Sequence, residues 1–167
     1  SVATAPKPPY HFSMGVRFPS LGFFEQLQRL MREQHERFER LGYFDATLGV
    51  RVARPEGSAE YVLSFDVFDC TEVREATGVR AEGVDFILEA PQAVWEEMFS
   101  NIKEHGGADA AHGINTLTHF GDSMRVVYDD PDGHDKMFRF AESIQEFFDL
   151  AANLDMEFDR EPVRASA

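Results

Sequence analysis

The chain has one cysteine and one tryptophan among its 167 residues, barely half as many cations as anions, and no apolar run of membrane-spanning length. Each shortage excludes something. A lone cysteine, Cys70, cannot close an internal disulfide, so a reducing, cytoplasmic compartment is expected. A helical span needs roughly 18 consecutive apolar residues, so no integral membrane association is expected. No basic-then-apolar leader opens the chain. Lys and Arg number 16 against 30 Asp and Glu, a net charge of −14. Phosphate backbones are repelled by such a surface, and nucleic acid is not expected as a partner. The acid is spread over many segments and reads as solvated surface charge.

Signatures of catalysis are also missing. There is no G-x-S-x-G, no C-x-x-C and no P-loop. Cys70 stands between Asp69 and Thr71, and adjacent acid raises a thiol pKa, so a structural role is expected. The pairs Asp66/Asp69, Glu96/Glu97 and Asp129/Asp130 read as solvated charge, Glu96 and Glu97 on the polar side of a helix and Asp129 and Asp130 in a turn. His112 and His119 lie seven apart. On a helix they share a face, where Asp109 or Asp122 could join them. Two imidazoles and a carboxylate can hold a metal. The spacing matches no recognised metal signature and Gly113 weakens the helix, so neither a metal nor a cofactor is expected. His112, His119 and Asp122 stand as the catalytic set of an alternative reading, an enzyme or small enzyme subunit acting on an apolar substrate.

What the chain has in abundance is phenylalanine, 16 residues against four tyrosines. Phenylalanine brings large apolar area with no polar tip to satisfy. The interior is therefore bulky, and either packs tightly or lines an apolar cavity.

The hydrophobic period changes along the chain. Residues 1–19 hold four prolines and no helical period and read as an extended arm, in which Tyr10, Phe12, Met14, Val16 and Phe18 alternate. Ser20 is a candidate N-cap for one long amphipathic helix, with Phe23, Phe24, Leu27, Leu30, Met31, Phe38 and Leu41 at spacings of three and four. Gly42 stops it, and Glu33 and Arg37 pair across its outer face. Period two follows: Ala46 to Val52, a turn at Pro55–Ser58, then Tyr61 to Val67. Further strands are expected near Glu72–Arg80 and Val84–Glu89. The short links imply an antiparallel meander. Pro91 opens a second helix carrying Val94, Trp95, Met98, Phe99 and Ile102. A weaker helix is expected from Ala108 to about Phe120, a strand from Met124 to Tyr128, a turn at Asp129–Gly133, and a closing helix from about His134 to Asn153. The expected domain is residues 20–158, with a polar tail at 159–167. Its class is α+β: an antiparallel five-stranded sheet with helices packed on one face.

The element order, with EGVDFILEAPQAVWEEMF followed by HFGDSMRVVYDDPDGHDKMFRF, resembles a divergent sterol-carrier-protein-type domain over Asp45 to Leu150. Asp85 precedes the last meander strand, Gly121 enters the short strand, Asp129 follows it, and the closing helix comes next. The pattern departs where Tyr128 replaces a glycine, and in a longer, more aromatic closing helix. The resemblance implies an apolar tunnel between sheet and helices, taking a fatty acyl chain, a sterol or a similar hydrophobic small molecule without chemistry. Trp95, Phe99, Leu117, Phe120, Phe138 and Phe148 are its candidate lining. The wide apolar face of the closing helix also suits a homodimer, a third reading.

Overall fold

A computed structural model describes residues 15–119 and 123–158. The elements run β1 (Val16–Phe18), α1 (Leu21–Glu33), α2 (His35–Glu39), β2 (Ala46–Ala53), β3 (Ala59–Asp66), β4 (Asp69–Ala76), a 3-10 turn (Val79–Glu82), β5 (Phe86–Pro91), α3 (Gln92–His105), α4 (Ile114–His119), β6 (Arg125–Val127), α5 (Pro131–Arg139), α6 (Ala141–Asp149), a second 3-10 turn (Leu150–Asn153) and β7 (Met156–Phe158). The fold is α+β, as the change of period predicts.

The main sheet has the order β4-β3-β2-β5-β6. β2, β3 and β4 form the expected antiparallel meander. β5 does not continue it. It lies on the other side of β2 and runs parallel to it, Leu48 beside Phe86 and Val52 beside Ala90. The sheet is therefore mixed, correcting the expectation of an antiparallel one. Short links suggested neighbouring strands, but the link from β4 to β5 is a crossover. Its 3-10 turn passes over the outer face of the sheet, where Val79 is buried with Val62 and Ile87. Gly49 makes room for it: a Cβ there would stand 2.7 Å from Val79 Cγ2 and 3.0 Å from Ile87 Cγ1. β6 adds antiparallel to β5. β1 and β7 make a separate two-stranded parallel sheet, which three-residue strands do not announce in sequence. Tyr10, Phe12 and Met14 lie outside the described residues.

The inner face takes alternate side chains, Leu48, Val50 and Val52 from β2, Leu63 and Phe65 from β3, Phe86, Leu88 and Ala90 from β5, and the helices pack on it in one core. Ser20 caps α1 as expected, its Oγ accepting from the Phe23 N–H at 3.0 Å. The helix then breaks at Gln34, whose φ of −116° and ψ of 36° leave the helical region. The break separates Glu33 from Arg37. Glu33 pairs back to Arg29, and Arg37 turns to Glu146 of α6 at 2.6 Å. The expected Glu33–Arg37 pair is not made. Gly42 stands just beyond, with a φ of +91°.

The closing helix differs in three ways. It begins at Pro131, with Asp130 as N-cap, so Asp129–Gly133 is a helix start and not a turn. It breaks at Phe140 into α5 and α6, and it ends in a 3-10 turn. Gly133 lets α5 touch the start of β5, because a Cβ would lie 1.8 Å from the Asp85 carbonyl oxygen. The weaker helix also starts later than expected, at Ile114 in place of Ala108. Glu96 is buried at 3% exposure, against its expected place on the polar side of α3. Its partner there is Gln92, one turn earlier, whose Nε2 donates to Glu96 Oε2 at 2.8 Å.

Candidate functional site

Between the sheet and the helices lies a continuous set of aromatic rings. α1 brings Phe23 and Phe24, β1 brings Phe18, α3 brings Trp95 and Phe99, and α6 brings Phe147 and Phe148, all without exposed surface. The period of three and four on each helix aims them inward. Their contacts are edge-on or tilted for the most part, the arrangement that ring quadrupoles favour. Phe99 meets Phe23 at 4.8 Å and Phe18 at 5.0 Å between centroids. Trp95, Phe99 and Phe148 form a triangle with sides of 5.8, 5.9 and 6.2 Å. Phe147 continues it to Phe65 at 4.9 Å, Phe65 stacks on Phe44 at 4.3 Å, and Phe44 reaches Phe140 at 5.4 Å. The one polar tip among the rings of the triangle is satisfied, the Trp95 indole N–H donating to the Arg51 carbonyl at 3.2 Å.

Of the six expected lining residues, Trp95, Phe99 and Phe148 are thus brought together. They touch one another and keep no exposed surface of their own. Leu117 packs against the same core from α4, half-buried, and its carbonyl accepts from both Ser123 N–H and Met124 N–H. Phe138 stands apart. It is 46% exposed and lies edge-on to His134 at 4.6 Å and tilted against His119 at 4.8 Å, with Tyr128 continuing the row at 4.7 Å from His134. Phe120 lies outside the described residues.

The alternative set is held by separate local contacts. His112 precedes α4, so its spacing to His119 does not put the two on one helical face. His112 Nδ1 bonds Asp109 Oδ1 at 2.7 Å and its Nε2 lies 3.5 Å from Glu97 Oε1. The Asp109 hydrogen bond raises the His112 pKa above its ordinary value. The same bond, with a second from Asn101, holds Asp109 down to about 2. Asn101, itself buried, also accepts from the Asp109 N–H, so it binds the loop by two hydrogen bonds. His119 Nδ1 lies 3.0 Å from the Asn115 carbonyl. Asp122 is outside the described residues. Among the described residues no three His, Cys, Asp or Glu side chains gather closely enough to hold a metal ion. Cys70 is buried and its thiol is pushed up to about 12, by burial first. That is the inert setting expected for it. Among the described residues no helix is long and apolar enough to cross a membrane.

A second feature lies where Phe140 separates α5 from α6. An open pocket of about 460 Å³ sits over the Phe140 ring, between Leu41 and Tyr43 on one side and the helix junction on the other. Sequence reading missed it. The signal was Ser143, which falls three residues after Phe140 and four before Phe147, a hydroxyl inside the apolar face.

No protein-family model and no curated protein matches the chain. Solved structures do. A conserved hypothetical protein of Thermus thermophilus, itself described as possibly a sterol carrier protein, superposes with a TM-score of 0.60 at 15% identity, over 83% of this chain and 90% of that one. A crystal structure of sterol carrier protein 2 gives 0.59 at 14% identity, over 80% of this chain and 95% of that one. The chain has the sterol-carrier-protein-type fold, in the divergent form that the element order suggested.

Proposed function

We propose that the chain binds or transfers a hydrophobic small molecule between its sheet and its helices, without catalysing a reaction. The observation that carries this reading is the unbroken set of buried rings between the layers. Supporting it is the fold likeness to a protein named as a sterol carrier. A fatty acyl chain or sterol needs apolar area and little polar readout, and burial contributes about 25 cal/mol per Å². Trp95, Phe99, Leu117, Phe120, Phe138 and Phe148 are the proposed contacts. The described rings touch one another, so a guest would enter by displacing the α5–α6 side, where the helix is already broken at Phe140.

Native mass spectrometry of freshly purified protein, with titration of fluorescent fatty-acid and sterol probes, tests this directly. Saturable uptake at micromolar protein is expected. Ala141→Trp, which fills the inner side of α6, should abolish it while circular dichroism is unchanged. Wild-type protein that takes up neither probe at micromolar concentration overturns the reading.

A further inference from the structure

A guest between the layers must part α6 from α3, and one segment ties those two helices together. We infer that residues 106–114 are a strap that latches α6 over the rings, and that its release admits the guest. The inference rests on the proposed inter-layer binding and adds what regulates it.

The strap reads GGADAAHG and ends at Ile114. Before Ile114 it has no large apolar side chain, so polar contacts do most of the holding. It leaves α3 through Gly106, whose φ is +77°. Asn101 of α3 holds it on one side, accepting from the Asp109 N–H at 2.8 Å and donating to Asp109 Oδ2 at 2.9 Å. α6 holds it on the other. Asp149 Oδ1 accepts from the Ala108 N–H at 3.1 Å, and Gln145 Oε1 accepts from the Ile114 N–H at 2.8 Å. Gln145 Nε2 donates to the same Asp149 oxygen at 2.9 Å, which joins the two ties. Gly107 lets the backbone lie on this carboxylate, since a Cβ would stand 3.3 Å from Asp149 Oδ2.

The same two helices bring the ring triangle together, Trp95 and Phe99 from α3 and Phe148 from α6. A guest that separates the rings therefore pulls on the strap. Apolar contact is non-directional, so a guest's apolar surface replaces the ring contacts that it breaks. Hydrogen bonds are directional and are lost over a short displacement, and a guest of that kind does not replace them. The strap is thus what resists entry on the α3 flank of α6. Burial holds the Asp149 pKa above its ordinary value. Water reaching the carboxylate on opening restores part of what the broken bonds cost, so the latch can open and reclose. On the other flank α6 is tied to α2 by Arg37 and Glu146, a pair that the strap does not touch.

The test combines amide hydrogen exchange with stopped-flow uptake of a fluorescent fatty acid by the full chain. Gln145→Ala removes both bonds that Gln145 makes. It should quicken exchange at the Ala108 and Ile114 amides by about tenfold, since each hydrogen bond is individually modest. Uptake and release should quicken by a similar factor, with affinity little changed. Glu146→Ala, which frees α6 from α2 alone, should alter the uptake rate by less than about twofold. A second variant acts in the opposite sense. Gly107→Cys with Asp149→Cys, once oxidised to a disulfide, should take up the probe about tenfold more slowly than the same protein reduced. Faster amide exchange in Gln145→Ala with an unchanged uptake rate overturns the strap and leaves the inter-layer reading standing. So does an equal gain in rate from Glu146→Ala, which would mean that any loosening of α6 suffices. Wild-type protein that takes up no probe overturns both.

Discussion

The two ends of the aromatic chain are built from the same residue type and do opposite things. At one end Phe18, Phe23, Phe99 and Trp95 are closed by β1 and β7 on one side and α1 and α3 on the others, with no surface left. At the other end Phe140 lies at a helix break beside two exposed side chains, Leu41 and Tyr43. Rings that meet rings on every side become structure. A ring at a helix break is left with an open pocket beside it. The difference is set by the backbone around them, which phenylalanine content alone does not reveal.

Truncation should cost most at the closed end. Phe99→Ala should cost about 3–5 kcal/mol, because the ring's neighbours are themselves wedged and cannot collapse into the space. Denaturant unfolding measures it, and a loss below about 1 kcal/mol would show that this end is loosely packed. Next is Gly133→Ala, which pushes a methyl group into the Asp85 carbonyl and should cost about 1–3 kcal/mol by forcing α5 away from β5. The melting temperature of this variant should fall, while Gly78→Ala, a position with open space around it, serves as the control for adding a methyl group alone. A smaller effect is expected at the exposed row: Phe138→Ala should change stability by no more than about 0.5 kcal/mol. If it costs as much as Phe99→Ala, Phe138 belongs to the closed end after all.

The smallest expected effect is the pH response of the loop between α3 and α4. The folded pKa of His112 is raised by Asp109, so its contribution is complete below the unfolded value near 6.5 and is lost as pH rises through the folded value. Asp109 is depressed to about 2, so its contribution is present above the unfolded carboxylate range and lost as pH falls towards 2. The loop is held best between these limits. NMR titration should place the His112 midpoint above 6.5, and Asp109→Asn should lower it.

How much of this was legible in the sequence follows the same division. The inward positions of α1, α3 and the hairpin were readable because each repeats a period several times, and Trp95 and Phe99 share one stripe. Ser20 marked a helix start by a hydrogen bond acting over three residues, and Pro91, expected at the first helical position, stands one residue before it as the N-cap. The helix breaks at Gln34 and Phe140 were not readable, because neither residue forbids a helix; past the first, Arg37 meets Glu146 of α6, and past the second, Phe147 of α6 meets Phe65 of the sheet. The strand order was hidden for another reason. Local period tells where a strand is and which face it buries, but not which neighbour it takes. At the site, the buried rings were foreseeable as a stripe, whereas the junction pocket depends on the 41–45 link lying beside a break that the period does not show.

The crossover from β4 to β5 also bears on the order in which the molecule assembles. β2, β3 and β4 are joined by short turns, so their pairing closes only small loops and little chain entropy opposes it. β5 cannot join until the chain has travelled back over two strands and seated Val79 above Gly49. Everything that depends on β5, including β6 and the docking of α3 and α5, waits for that step. Val79→Ala should therefore act mainly on the folding arm of a chevron plot, and an effect confined to the unfolding arm would show that the crossover seats after the rate-limiting step. The crossover that lets β5 run parallel to β2 would then also set the pace at which the sheet is completed.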